Sequence, residues 1–166
     1  MDITIRPARD EELEAVGELT AQAYLADGLL DFGEEDPYLK ELRAARRRAQ
    51  HTEVLVAVDT ASDSVLGTVS FVGDGGEYAD IAGEGEGEFR MLAVRHEGRG
   101  RGAGEALVRA CVERARERGL RRLLLCSHDG MTTAQRLYGR LGFVRVPERD
   151  WEPLPGLALH AFALEL

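Results

Sequence analysis

Lysine is almost missing from this chain, which carries 20 arginines and a single lysine, Lys40. Cysteine is nearly as scarce. Cys111 and Cys126 make at most one pair, too few for the disulfide framework of a small secreted domain, so a reduced, cytoplasmic setting is the simpler expectation. Long apolar runs are also absent; Leu123-Leu124-Leu125-Cys126 is only a few residues long, and nothing reads as a membrane span. The N-terminus turns charged at Asp2 and Arg6 and offers no apolar core of a signal peptide. A basic excess is missing too: 30 Asp and Glu against 21 Lys and Arg leave a formal charge of -9, which disfavours a general nucleic-acid binder. What remains is 166 residues, 44% apolar and 31% charged, enough for one domain over residues 1–166 with a core of its own.

Charge and glycine are unevenly spread. Ten of the 19 glycines fall between Gly73 and Gly104. The segment Gly73 to Glu88 holds six acids and no Lys or Arg, whereas Arg99 to Arg122 holds eight Arg and three Glu, a local charge of +5.

Alternation of Ile3 and Ile5 predicts a first strand, and Leu13, Val16, Gly17, Thr20, Ala23 and Tyr24 recur at helical spacing from about Asp10. Asp36-Pro37 marks the start of a second helix running to Ala49, with Arg43, Arg46, Arg47 and Arg48 on a solvated face. Val54–Asp59 and Val65–Val72 form an antiparallel hairpin, and Phe89–Val94 is a further strand. Gly102 to Gly119 is the clearest helix, with Gly104, Leu107, Val108, Cys111, Val112 and Ala115 on one face. Leu123–Cys126 reads as a strand buried on both faces, which makes Cys126 and Cys111 core residues. A helix from Thr132 or Thr133 to Leu141, a strand at Phe143–Val146 and a last strand at Leu157–Leu164 complete the order β-α-α-β-β-β-α-β-α-β-β. Helices alternate with strands only in the second half, so a mixed sheet is expected, parallel around the Gly102–Gly119 helix.

Between that strand and that helix lies Arg95-His96-Glu97-Gly98-Arg99-Gly100-Arg101-Gly102-Ala103-Gly104. Glycine at every second position lets consecutive N–H groups converge on a ligand at the positive end of the helix, a built-in anion site to which Arg99 and Arg101 add charge. Gly98-x-Gly100-x-x-Ala103 also meets the loose dinucleotide pattern, but a hairpin precedes it where a doubly wound sheet is required. No Gly-Lys-Ser or Gly-Lys-Thr exists for a P-loop.

Arg99, Gly102 and Gly104, following Leu92 and Val94, match the Arg/Gln-x-x-Gly-x-Gly/Ala signature of the GNAT superfamily of N-acetyltransferases, which this sequence resembles. Ala134-Gln135-Arg136-Leu137-Tyr138 followed by Leu141-Gly142-Phe143 resembles a second motif of that family. The resemblance implies a mixed α/β (α+β) fold: a largely antiparallel sheet of six to seven strands, a splayed central parallel pair, and about four helices. It further implies that acetyl-CoA is co-substrate without a metal. Leu92, Ala93 and Val94 would pair with its pantetheine arm, and the N–H groups of Arg99, Gly100, Arg101, Gly102, Ala103 and Gly104 would hold its pyrophosphate. An acyl oxygen near Leu92 would meet a backbone N–H.

Tyr138 is the expected general acid, since a tyrosine near 10 is matched to a thiolate leaving group near 8.5. Glu88 is the expected base acting through a water, with Glu86 and His128 as further candidates. Where many members have Asn, this chain has Met131, so cofactor contacts are not carried over to Met131 and Thr133. Cys111 and Cys126, read as core residues rather than nucleophiles, are consistent with the direct attack of a primary amine, without an acyl-enzyme, that the resemblance implies. The acceptor is a small-molecule or peptide amine, cationic if the acids of Asp31–Asp36 and Gly73–Glu88 face it; whether the chain is a homodimer stays open. Two other classes stay open as well, a non-catalytic acetyl-CoA-binding regulatory module and a dinucleotide-dependent enzyme.

Overall fold

The computed structural model describes all residues except 1, 31, 74–79, 129 and 156. Asp31, Asp74 and Glu77 of the acidic field therefore lie outside the described residues. The strands are β1 (Ile3–Pro7), β2 (Glu53–Asp59), β3 (Val65–Gly73), β4 (Glu86–Val94), β5 (Arg122–His128), β6 (Val144–Arg145), β7 (Trp151–Leu154) and β8 (Leu157–Glu165). The helices are α1 (Leu13–Ala26), α2 (Tyr38–Arg43), α3 (Ala45–Ala49), α4 (Ala103–Glu117) and α5 (Thr132–Arg140). One sheet of order β1-β2-β3-β4-β5-β8-β6 carries β7 on β8, and every pairing is antiparallel except β4 with β5. The mixed, largely antiparallel α/β fold with a central parallel pair is thus the one expected, with β7 bringing the strands to eight.

The β-branched strands are buried on both faces. On β2, Leu55 and Ala57 turn toward the apolar stripe of α4 formed by Leu107, Val108, Cys111 and Ala115, while Val54, Val56 and Val58 turn toward Leu13 and Val16 of α1. α4 and α5 therefore cover one face, α1 to α3 the other.

The second helix is not continuous. It stops at Arg43, Ala44 adopts φ -81° and ψ 49°, and α3 begins anew. At that point the Arg43 carbonyl lies against Gly17 of α1, where a Cβ would collide with it. The ended helix leaves carbonyls without intrahelical partners, and Arg48 supplies them: its Nη1 donates to the carbonyls of Glu41 at 2.6 Å and Leu42 at 2.9 Å. Arg48 is 1% exposed. It is a buried cap, not part of a solvated basic face, and Arg43 and Arg46 pair with Glu18 and Asp10.

Candidate active site

The parallel pair is short. Glu86 pairs with Arg122, Gly87 with Leu123 and Glu88 with Leu124, after which β4 and β5 continue without each other. On its other side β4 is broken by a bulge: Thr68 of β3 faces Ala93 and Ser70 faces Arg90, so Met91 and Leu92 stand opposite one residue. Met91 takes φ 56°, the left-handed region unusual for a side chain of this size. The bulge also swaps the strand's faces. Phe89, Leu92 and Val94 pack on the α4 side, whereas Met91 packs with Ala21, Leu39 and Leu42 on the α1 side. Arg90 and Met91, adjacent in sequence, both line the cavity described below.

From β4 the chain passes through a single tight turn at His96–Gly98 into α4. Gly98 is buried, and a Cβ there would come within 3.0 Å of the Leu66 Cβ. Gly100 and Gly102 adopt φ 78° and 84°, conformations that glycine alone takes readily. The Arg99 N–H closes the turn on the His96 carbonyl at 3.1 Å and is not available to a ligand. Among the described residues the N–H groups of Gly100, Arg101 and Gly102 find no acceptor, and those of Ala103 and Gly104 sit in the first turn of α4, where intrahelical partners do not exist. This array fits a polyanion by its backbone. The guanidinium groups are engaged elsewhere, Arg99 with Asp27 at 2.8 Å and Arg101 with Asp59 at 2.8 Å and Asp2 at 2.5 Å. Gly104 is not a close-approach glycine: a Cβ would make ordinary contacts of 3.7 Å to Val94 and 3.8 Å to Leu137.

On the other side of β4 a cavity of about 430 Å³ is lined by residues from α1, the α1–α2 loop, β4, β5, β7 and β8. Glu88 opens into it and is only 3% exposed. Its Oε1 accepts the N–H groups of Asp80, Ile81 and Ala82 at 3.0, 2.9 and 3.1 Å. Oε2 takes no hydrogen bond among the described residues. Burial pushes the Glu88 carboxyl above its ordinary range, and the N–H groups of Ile81 and Ala82 offset this only in part.

Glu86, two residues earlier, has a different environment. Arg149 grips both its oxygens at 2.9 and 3.1 Å, Arg122 adds a contact at 3.2 Å, and Gly83 N–H donates to Oε1 at 2.9 Å. Burial would raise its pKa, but Arg149 and the Gly83 N–H outweigh it and hold the group below the usual carboxylate range. Glu86 is a structural anion. His128 also lines the cavity, with Nδ1 accepting the Gly130 N–H at 3.0 Å.

Tyr138 lies on the opposite face of β4. Its ring packs against Phe89, Phe143 and Phe162 at centroid distances of 6.0, 5.9 and 6.2 Å, and burial pushes its hydroxyl above the ordinary tyrosine range. Phe89 and Glu88 are consecutive, so Tyr138 and Glu88 flank β4 from its two sides at the point where β5 departs. Met131 lines the cavity rather than the phosphate loop, and Thr133 is exposed. Cys126 is a correction to the sequence reading: it is half-buried on the cavity wall and not sealed in the core. Burial pushes its thiol up to about 12. The sequence reading missed Arg90 and Tyr38, and placed Asp80 only within the acidic field of Gly73–Glu88. The period of two along β4 placed Arg90 on the face of Glu88, but nothing in the sequence joined either to Asp80 or Tyr38.

The end of the parallel pairing, a glycine loop with unmade N–H groups and a buried carboxyl thus meet around β4. Residues 14–143 match the acetyltransferase (GNAT) family, and the chain belongs to that family. A curated relative, the L-methionine sulfoximine/L-methionine sulfone acetyltransferase of Pseudomonas aeruginosa, is 36% identical over 97 residues, 58% of this chain and 54% of that protein. The match thus spans about half the length of that relative. Among solved structures, a GNAT-family acetyltransferase from Staphylococcus aureus superposes with a TM-score of 0.75 at 16% identity, covering 99% of both chains. A PaiA N-acetyltransferase from Thermoplasma acidophilum, in complex with coenzyme A, gives 0.73 at 16% identity over 100% of both chains.

Proposed function

We propose that the protein transfers an acetyl group from acetyl-CoA directly to a small primary amine. The observation that carries this reading is Glu88: a buried carboxylate with one oxygen pinned and the other left to the cavity, at the last rung before β4 and β5 part. The named acetyltransferase activity of the Pseudomonas relative and the coenzyme A of the Thermoplasma structure support it. So do the N–H groups of Gly100 to Gly104, which suit a pyrophosphate. Two unpaired thiols suit a reducing, cytoplasmic compartment.

The thioester supplies an activated acyl carbon, and each protein group has one task around it. Leu92, paired with no residue across β3 or β5 in the described register, presents its N–H to the acyl oxygen. Glu88 takes a proton from the amine through a water as the N–C bond forms. Tyr138 gives its hydroxyl proton to the departing sulfur as the C–S bond breaks. Solvent then returns a proton to Tyr138 and takes one from Glu88, leaving an amide and a free thiol. The test is thiol release from acetyl-CoA across an amine panel. Tight acetyl-CoA binding without amine-dependent release would make this a binding module, and saturation by NAD in place of CoA would make it a dinucleotide enzyme.

A further inference from the structure

The cavity beside Glu88 selects among amines. Its walls are predominantly apolar and aromatic: Tyr24 and Tyr38, whose rings meet at 6.4 Å, Leu30, Met91, Trp151 and Pro153. Phe32, 70% exposed, adds an apolar ring to its lining where solvent reaches it.

The charged groups in this lining are held by the protein itself. Asp36 accepts the Tyr38 N–H at 2.9 Å and the Phe32 N–H at 3.3 Å. Asp80 Oδ2 accepts from Arg90 Nη1 at 2.6 Å, and Arg90 Nη2 reaches the Tyr38 hydroxyl at 3.4 Å. Arg90 is the sole arginine among the described lining residues, which hold no lysine, and it stands against three carboxylates, those of Asp36, Asp80 and Glu88. A ligand carboxylate would have to displace Asp80 from Arg90 and leave one of the two anions poorly paired, an exchange that brings no net gain. An ammonium meets no such conflict, and an apolar body finds matching walls.

We propose that the acceptor is a primary amine carried on an uncharged apolar or aromatic body, and that Asp80, by occupying Arg90, excludes α-amino acids. The proposal rests on the reading of Glu88 as the base serving this cavity. It separates this protein from its Pseudomonas relative, whose named substrates are amino-acid derivatives.

The test pairs two readouts on the full chain saturated with cofactor: calorimetric binding to the CoA complex, and CoA release from acetyl-CoA. The probes are phenethylamine, L-phenylalanine and L-methionine sulfone. Phenethylamine is expected to bind tighter than either amino acid and to exceed both in kcat/KM by at least ~10-fold, the scale on which one misfitting group is rejected. Asp80→Asn keeps the backbone N–H to Glu88 while removing the carboxylate that Arg90 Nη1 grips, and should narrow the ratio of phenethylamine to phenylalanine by ~10-fold. Amino acids bound and used as well as phenethylamine by the unaltered protein overturn the proposal, as does failure of all three to bind. Tighter phenethylamine binding with no CoA release from any probe leaves the selection standing and removes the transferase reading instead.

Discussion

Glu88 faces Leu124 at the last rung of the parallel ladder, so the carboxyl group stands where two neighbouring strands cease to be neighbours. That single placement explains why a charged side chain is buried in a central strand. Gly87 and Leu123 close the sheet behind it, the bulge at Met91 turns the strand ahead of it, and the loop at Asp80–Ala82 folds over one of its oxygens.

Burial of Glu88 sets a pH dependence of stability. Its folded pKa lies above the ordinary value, so its contribution to stability is greatest below that value and is lost as pH rises through the raised one. Glu88→Gln keeps an oxygen for the three N–H groups and removes the buried charge. Thermal unfolding should therefore show the variant at least as stable as the parent at about pH 8, with the difference shrinking toward about pH 4, near the ordinary carboxylate pKa. A large loss of stability at the higher pH would contradict this.

Tyr138→Phe separates the hydroxyl from the ring. The contacts with Phe89, Phe143 and Phe162 survive, so the unfolding temperature and acetyl-CoA affinity should hold. Turnover should fall ~10²-fold or more, as expected for loss of a general acid. Unchanged turnover with intact cofactor binding would end the acid role.

The two glycines of the family signature should behave differently. Gly102→Ala forces a side chain into φ 84° at the entry to α4, a strain of ~1 kcal/mol or more, and should weaken acetyl-CoA binding measurably. Gly104→Ala meets only ordinary contacts at 3.7 and 3.8 Å and should bind acetyl-CoA as the parent does. Titration calorimetry on both variants distinguishes the strained position from the permissive one.

Acid unfolding should be governed by ion pairs outside the catalytic set. Arg6 holds the Glu12 carboxyl at about 2, and Arg145 holds Asp150 at about 2. Groups with lowered folded pKa contribute stability above the ordinary carboxylate range and lose it as pH falls toward the lowered value, here from about pH 4 to about pH 2. Arg6→Met should move the acid-unfolding midpoint upward, as circular dichroism across that window would show.

The phosphate loop was legible in the sequence because its glycines interrupt two strongly patterned elements, Met91–Val94 and the stripe from Leu107 to Ala115. Its chemistry was less so: nothing local says that Arg99 is held by Asp27 or Arg101 by Asp2 and Asp59, 42 to 99 residues away. Glu86 and Glu88 share a residue type, a strand and a face, and what tells them apart is chiefly Arg149, 63 residues from Glu86. The buried Arg48 hid in a run of three arginines because its burial depends on α2 ending early against Gly17. β7 carries a weak strand signal because it contains Pro153, which is tolerated there on a strand paired on one side.

The most direct measurement is amine-dependent CoA release at saturating acetyl-CoA by the parent protein and by Glu88→Gln, with acetyl-CoA affinity determined for both. The account predicts release by the parent, at least ~10²-fold slower release by the variant, and equal affinity. Undiminished release by the variant would contradict it, as would acetyl-CoA binding with no amine-dependent release by the parent.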